Sequence, residues 1–440
     1  MALPGHLIQR GKTTEVKVLV VGAGGREHAL VRCLLRSPRK PDVLAAPGNA
    51  GIARDGIECL GVQAEDLEGV VRVAGEREAD LVVVGPEAPL VAGLVDALEE
   101  AGVRAFGPSR RAARLEGSKR YAKELMAEVG VPTGGHTVLR SRDEALEAIA
   151  RTSYPTVLKA DALAAGKGVI VCPDEPSARE AVELFFTERR FGHTEVVLEE
   201  FLEGEELSLL AVCDGERAVA MAPARDYKRI GDGDEGPNTG GMGSYSPVRG
   251  IDREHAEALA LVVHQPIVDE LRRRGTPYHG VLYAGLMMTA DGPKVLEYNC
   301  RFGDPETQAV LPRLRSDVLE LLEGSTRAGG LGGVEVEWSD EWAVTVVLAS
   351  AGYPETSSVG DEIHGLRSID SLEVELLHAG TAQRGSRLVT DGGRVLSVTG
   401  IARTPEQARE HAYSAAGRIQ FDGKQMRNDI AARALIDVKA

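Results

Sequence analysis

The sequence predicts a multidomain protein of mixed α/β and α+β class, with a doubly wound parallel sheet first, a two-lobed region next and a β-rich C-terminal domain. Three observations predict it. Apolar, β-branched runs that end in glycine, VKVLVVGAGG at 16–25 and DLVVVG at 80–85, each lead into helical spacing. Repeated strand and helix units imply a parallel sheet covered on both faces. Further on, apolar runs follow one another across short Gly-rich turns, as antiparallel strands do. The chain's 440 residues also exceed what one core fills, since domains average roughly 100–200 residues.

Residues 1–15, MALPGHLIQRGKTTE, carry charge early and lack an apolar stretch long enough for a signal peptide, so a disordered extension is expected. The first domain is assigned to 16–117. Its opening strand turns at glycine into REHALVRCLLRS, where Ala29, Leu30, Cys33 and Leu34 follow helical spacing. The second run leads into PEAPLVAGLVDALEEAG, where Pro89 and the Leu90, Leu94, Leu98 spacing predict a helix. A second domain spans 118–327. Residues 118–130 read as a helix closed by glycine, and Pro132 starts an extended segment. TVLKADALAAGKGVIVC at 156–172 gives two strands around a Gly-rich turn, and VVLEEFLEGEELSLLAVCDG gives two more, which places a small mobile lobe at about 137–203. RIGDGDEGPNTGGMGSYSP at 229–247 reads as a long polar loop, far above the usual connection of about 4–6 residues, and such loops are usually functional or disordered. The Gly-rich stretch near 328–337 marks the last boundary. WAVTVVLAS, LEVELLHAG and RVLSVTGIA then make 328–440 a strand-rich domain ending in a helix.

A formal net charge of −16 argues against a general nucleic-acid or membrane-surface binder, because phosphates would be repelled over most of the surface. An anionic substrate must therefore meet a local cluster of Arg and Lys. No run approaches the ~18 apolar residues of a membrane helix. Cys33, Cys59, Cys172, Cys213 and Cys300 are scattered, without a CxxC pair or a His at metal spacing, and read as reduced thiols of a cytoplasmic protein.

The segment VLEYNCRFGDPET, 295–307, places Glu297, Asn299 and Arg301 at alternate positions of a strand, hence on one face. A carboxylate, an amide oxygen and a guanidinium together suit a magnesium ion with attached phosphates beside an anion clamp. The ordinary alternative is a strand with a solvated polar face. The turn GAGGREH at 22–28 is similar to a dinucleotide fingerprint, but Glu27 stands at the third glycine position. Its amides at a helix start, with Arg26 nearby, suit an anion; a tight packing turn is the alternative. PGNAG at 47–51 and GPEAPL at 85–90 follow strand ends, which surround the ligand crevice of a doubly wound sheet. AAGKGV at 164–169 is no Walker loop, since Gly168 follows Lys167 where Ser or Thr is required. A glycine turn between antiparallel strands can instead fold over a triphosphate, with Lys167 and the strand residue Lys159 reaching its oxygens; an ordinary hairpin is the alternative. EEFLEGEE at 199–206 is acidic, and charge alone marks no more than a solvated rim.

Together GGREHAL, PGNAG, GPEAPL, KADALAAGKGVIV, EEFLEGEELS, DYKRIGDGDEGPNTGGMGSYSP and EYNCRFGDPETQ resemble the ATP-grasp superfamily, and within it the glycinamide ribonucleotide synthetase family. The resemblance runs from about Val16 to the C-terminus. It implies an N-terminal pre-ATP-grasp sheet, a two-lobed ATP-grasp fold, and ATP with Mg2+ (or Mn2+) as co-substrate and metal. It implies that Lys119 and Lys159 bind phosphates under a loop of Gly166, Lys167 and Gly168. Glu199, Glu200, Phe201 and Leu202 would border the adenine, and Glu206 would hold the ribose. Glu297 and Asn299 match the family's metal ligands, and Arg301 would neutralise the transferred phosphoryl group, with Lys159 and Lys167 opposing the same charge. Phosphoribosylamine would lie near Gly25, Asn49, Gly85, Glu87 and Arg301, with Asp226, Lys228, Asn238, Thr239, Gly240 and Gly241 closing the site. Ala162, Arg225 and Tyr227 stand where the family commonly has Gly, Gln and His.

The implied reaction joins glycine to 5-phosphoribosylamine through glycyl phosphate, in purine biosynthesis, by a monomer or weak homodimer with small-molecule partners. The competing readings are another ATP-grasp carboxylate–amine ligase, a dinucleotide-dependent oxidoreductase built on the first turn, and a non-catalytic nucleotide binder.

Overall fold

The computed structural model describes residues 16–163, 168–367, 369, 371 and 373–435. The expected N-terminal extension and the predicted phosphate-loop residues Gly166 and Lys167 lie outside them.

The first unit is a five-stranded sheet in the order Glu58–Cys59, Asp42–Pro47, Lys17–Gly22, Leu81–Val84, Ala105–Phe106, and all its strand pairs are parallel. The central strands are continuous Val, Leu and Ala runs because helices bury both faces. Strand order reverses between Lys17–Gly22 and Leu81–Val84, so the ligand crevice of this sheet lies beyond Gly22 and Val84. The helix predicted after Pro86 is two, Glu87–Ala92 and Leu94–Glu100, because Gly93 between them has φ +102° and breaks the ladder.

Helix Lys119–Val129 is capped by the Ser118 hydroxyl and ended by left-handed Gly130. It leads into two antiparallel sheets. The smaller pairs His136–Leu139, Val196–Glu200, Thr156–Ala160 and Val169–Cys172 in that order. Helices Arg142–Ile149 and Glu175–Val182 cover it, and its hydrophobic core is separate from the two that serve the rest of the molecule. The larger runs Ala218–Ala220, Glu205–Asp214, His279–Thr289, Gly292–Asn299. The two strands read from VVLEEFLEGEELSLLAVCDG therefore belong to different sheets, and 201–204 is the link between them.

The third unit is a five-stranded sheet, Arg225–Asp226, Gly243–Ser246, Trp342–Ala349, Arg394–Ala402, Val374–His378, with helix Pro405–Arg418 packed on it. Two of its strands come from the flanks of the predicted 229–247 loop. That segment also holds a hairpin, Arg229–Gly231 with Glu235–Asn238, turned by Gly233 at φ +69°. Its polarity hid this pairing: no apolar alternation marks the hairpin, and Gly243–Ser246 is buried only because Trp342–Ala349 lies against it. Among the described residues no helix is long and apolar enough to cross a membrane.

Candidate active site

At the crevice of the parallel sheet, helix Gly25–Leu35 begins with a capping box in which Glu27 accepts a hydrogen bond from the Gly24 N–H at 2.6 Å. A Cβ at Gly22, Gly24 or Gly85 would collide with the Glu27 carboxylate, so bare glycines on both neighbouring strand ends make room for it. Glu27, paired with Arg26 at 2.5 Å, takes the third-glycine position of a dinucleotide fingerprint, where that motif packs its helix on the strand with a bare backbone, so the turn departs from the oxidoreductase pattern. Asn49 caps helix Ala50–Arg54, accepting from the Gly51 and Ile52 N–H groups, and donates to the Ala23 and His378 carbonyls, each at 2.9 Å. Its whole hydrogen-bonding capacity goes into the fold.

Arg301, just past the end of strand Gly292–Asn299, is gripped by Glu87 at 3.1 Å and Glu116 at 3.0 Å. Burial opposes its charge, but Glu116 and Glu87 raise its pKa. In return, although burial works the other way, Arg301 and Arg26 pull the Glu87 carboxyl down to about 2. Glu116 also accepts from the Cys300 N–H at 2.7 Å, which locks the turn carrying Arg301.

Glu297 faces a different company. Burial pushes its carboxyl up, yet Lys228, Lys159, Lys119 and Arg301 together hold it below its ordinary range. It has no hydrogen bond or ion pair among the described residues, and the Asn299 amide oxygen meets only Arg301, at 3.4 Å. These free oxygens fit a hard divalent cation, whose other ligands would be phosphate oxygens and water. Among the described residues no cluster of three or more His, Cys, Asp or Glu side chains forms a protein-only metal site.

Lys159 rises from strand Thr156–Ala160 and donates to Glu199 at 2.9 Å and to the Leu296 carbonyl at 3.2 Å. The same Glu199 oxygen takes Lys123 at 2.8 Å, while its other oxygen, buried, has no partner. Lys119 donates to the Ala162 carbonyl at 3.1 Å, tying the helix start to the chain just beyond strand Thr156–Ala160. Glu200 accepts from the Gly135 N–H at 3.0 Å and faces Lys294 at 3.7 Å. Phe201 is half-buried and Leu202 buried in the link between the sheets, and Gly168 is buried at the start of its strand.

Glu206 and Lys228 form an ion pair, with Asp226 4.0 Å from the same ammonium. Burial above all raises the Asp226 carboxyl to about 7; Lys228 opposes this and Glu306 adds to it. Asn238 ends the hairpin. Thr239 returns to the Lys228 carbonyl at 2.8 Å and receives the Gly241 N–H at 2.9 Å, which fixes the turn through Gly240.

The structure thus gathers Lys119, Lys159, Lys228, Glu206, Glu297, Asn299 and Arg301 in one region, from strands and helices of separate sheets. Lys123, Glu116 and Glu306 join them without having been singled out in the sequence. Lys123 had a signal, lying one turn after Lys119 on the apolar side of its helix, where an unpaired lysine would be costly. Glu306 had one as well, lying within the segment 295–307 that carries Arg301, whereas Glu116 had none.

Phosphoribosylglycinamide synthetase family models match this chain domain by domain: the N domain at 16–116, the ATP-grasp (A) domain at 117–307 and the C domain at 343–433. A phosphoribosylamine–glycine ligase of Streptomyces coelicolor is 51% identical over 95% of this chain and 99% of its own. One from Caldanaerobacter subterraneus is 46% identical over 95% and 100%. The crystal structure of phosphoribosylamine–glycine ligase from Thermotoga maritima superposes with a TM-score of 0.79 at 37% identity, covering 94% of this chain and all of that one. A biotin carboxylase domain from Hydrogenobacter thermophilus, at 17% identity and a TM-score of 0.70, shares the fold. Family models that match 16–307 and 343–433, and relatives matched over nearly their full length, place it in the phosphoribosylamine–glycine ligase family.

Proposed function

We propose that this chain ligates glycine to 5-phosphoribosylamine at the expense of ATP, giving glycinamide ribonucleotide, ADP and phosphate. One observation carries the chemistry: Glu297, free of hydrogen bonds among the described residues, is faced by Lys228, Lys159, Lys119 and Arg301, drawn from four separate segments. Lys159, Lys228 and Arg301 are held in place by Glu199, Glu206, Glu87 and Glu116, and Lys119 has no carboxylate partner among the described residues, so a polyphosphate would meet prepositioned cations beside the free Glu297 carboxylate.

The glycine carboxylate attacks the γ-phosphate of ATP, forming glycyl phosphate and ADP. The amine of phosphoribosylamine then attacks that carbonyl and phosphate leaves. A free carboxylate accepts amines poorly, so activation must come first. No covalent enzyme intermediate is required; catalysis is positioning and charge stabilisation. Lys119 and Lys159 bind phosphate oxygens, and Lys167 with Gly166 and Gly168 covers them. Arg301 keeps a fixed place under the grip of Glu87 and Glu116 and opposes the developing negative charge from there. Glu199, Glu200, Phe201 and Leu202 border the base, and Glu206 holds the ribose. Glu297 and Asn299 would hold Mg2+ or Mn2+, which when bound supplies charge neutralisation between phosphates. The acceptor occupies the crevice near Gly25, Asn49, Gly85 and Glu87, closed by Asp226, Lys228 and 238–241. The cysteines are free, as a reducing cytoplasm would leave them, and we read the protein as a monomer or weak homodimer.

The test is mass-spectrometric detection of glycinamide ribonucleotide from ATP, magnesium, glycine and freshly generated phosphoribosylamine, with ADP followed in parallel. Product matching ADP is expected. ADP without that product would point to a different acceptor, and neither signal from folded, ATP-binding protein would favour a non-catalytic role.

A further inference from the structure

The turn at Gly240 is held by side chains more than 100 residues away in the sequence. Its N–H donates to the Tyr353 hydroxyl at 3.0 Å, and its carbonyl accepts from Arg394 at 2.6 Å, so side chains of the C-terminal unit orient the peptide groups on both sides of one residue. Arg394, from strand Arg394–Ala402, also donates to the Asp304 carbonyl at 2.7 Å and pairs with the Asp304 carboxylate at 3.2 Å. Both glycines are needed bare. A Cβ on Gly240 would sit 3.1 Å from the Arg394 guanidinium carbon, and one on Gly241, at φ +109°, would strike Pro305. Asp304 in turn lies beside the crevice, its carboxylate 3.4 Å from where a Gly24 Cβ would be.

We propose that Arg394 and Tyr353 are positioning residues for the acceptor amine: they fix the 238–241 turn and Asp304 against the crevice, so that phosphoribosylamine meets a preorganised wall. The inference rests on the ligase reading above. A wall held by distant side chains costs no reorganisation when substrate arrives, and misplacing it should act on the acceptor rather than on ATP.

The test compares wild type, Arg394→Ala, Arg394→Lys and Tyr353→Phe, varying ATP, glycine and phosphoribosylamine separately and measuring the ratio of ADP to glycinamide ribonucleotide. Arg394→Ala should raise KM for phosphoribosylamine roughly tenfold, leave KM for ATP unchanged and let ADP outrun product. Arg394→Lys should recover part of the loss, because an ammonium still reaches one carbonyl, and Tyr353→Phe should shift the same parameter less. Unchanged KM for phosphoribosylamine, or KM for ATP rising in step with it, would overturn the proposal. If Arg394→Ala does not fold, Tyr353→Phe, which loses one hydroxyl, decides by the same parameter. Wild type that makes no glycinamide ribonucleotide would overturn the ligase reading itself, before any variant is compared.

Discussion

Glu297 and Lys123 illustrate how far a single side chain's role depends on its neighbours. Glu297→Ala should nearly abolish turnover, with the melting temperature little changed, because the carboxylate removed supports no hydrogen bond among the described residues; a folded variant with normal activity would sink the metal assignment. Lys123 is subtler. Lys123 and Lys159 share one Glu199 oxygen, and all three groups are buried. Burial pushes the Lys123 ammonium down and Glu199 opposes it. In the free chain Lys123→Met leaves a balanced Lys159–Glu199 pair, so stability should barely fall. Once Lys159 turns toward a phosphate, the variant has a buried carboxylate without a cation, a situation that costs several kcal/mol. ATP affinity should therefore drop at least about tenfold, or 1.4 kcal/mol, while the unliganded melting temperature stays within a few degrees. Titration calorimetry against thermal melting separates the two; equal ATP affinity would remove Lys123 from the nucleotide site.

Elements are joined here by side chains placed at their ends. The seam between helix Gly25–Leu35 and strand Val374–His378 depends on His28, whose Nδ1 accepts the His378 N–H at 2.8 Å, and on Asn49 at the His378 carbonyl. Burial first, then His28, Arg54 and Arg32, push the His378 imidazole down to about 3. Unfolded, it titrates near about 6.5, so between these values the unfolded chain carries a proton that the folded chain rejects. This contribution to stability is complete above roughly pH 6.5 and is lost as pH falls through the window. Burial also lowers His264, to about 4, with the same sign. His378→Gln should therefore shrink, without erasing, the acid loss of melting temperature below about pH 6.5; an unchanged slope would refute the seam's part in it. The 229–238 hairpin has a matching anchor. Arg427, fully buried, pairs with Asp234 at 2.8 Å and Asp429 at 2.6 Å and stacks 4.8 Å from the centre of the Tyr227 ring. Tyr227, one of the departures from the family's usual residues, also accepts the Ala431 N–H at 2.9 Å. Arg427→Ala should cost about 2 kcal/mol or more, since partly buried carboxylates lose their partner. Amide exchange should accelerate over 229–238 first, and a uniform acceleration would count against a local anchor.

At the scale of the molecule, the site lies where separate sheets meet: strand ends of the parallel sheet, one strand from each ATP-grasp lobe, and the turn that links the 229–238 hairpin to strand Gly243–Ser246 of the C-terminal sheet. The lobe around 137–203 has its own core, and its strands carry Lys159 and Glu199. ATP with magnesium should therefore slow amide exchange chiefly over Thr156–Ala160 and Val196–Glu200, and at 100 times Kd should stabilise the protein by about 2.7 kcal/mol. Exchange unchanged there would place the nucleotide elsewhere.

Much of this was legible in the chain. Glycine-ended apolar runs dictated the parallel sheet, because strands buried on both faces must be continuously apolar. The EYNCRFGDPETQ and GDGDEGPNTGGMG strings carried the family, and the alternation of Glu297, Asn299 and Arg301 carried the idea of a phosphate site. Local pattern failed where the partner is distant. It read Leu90, Leu94 and Leu98 as one helix across Gly93, and the 229–247 segment as a loop, because its strands are identified by what they pair with. It left Lys123, Glu116 and Glu306 unnoticed, and it gave no sign that the Asn49 side chain caps one helix and ties two carbonyls of other segments. Sequence by itself determined the elements, the family and the charges that the chemistry needs. Tertiary structure decided which charges are already paired, because an ion pair is set by distance in space, and residues as far apart as Glu87 and Arg301 become neighbours only once the sheets have packed.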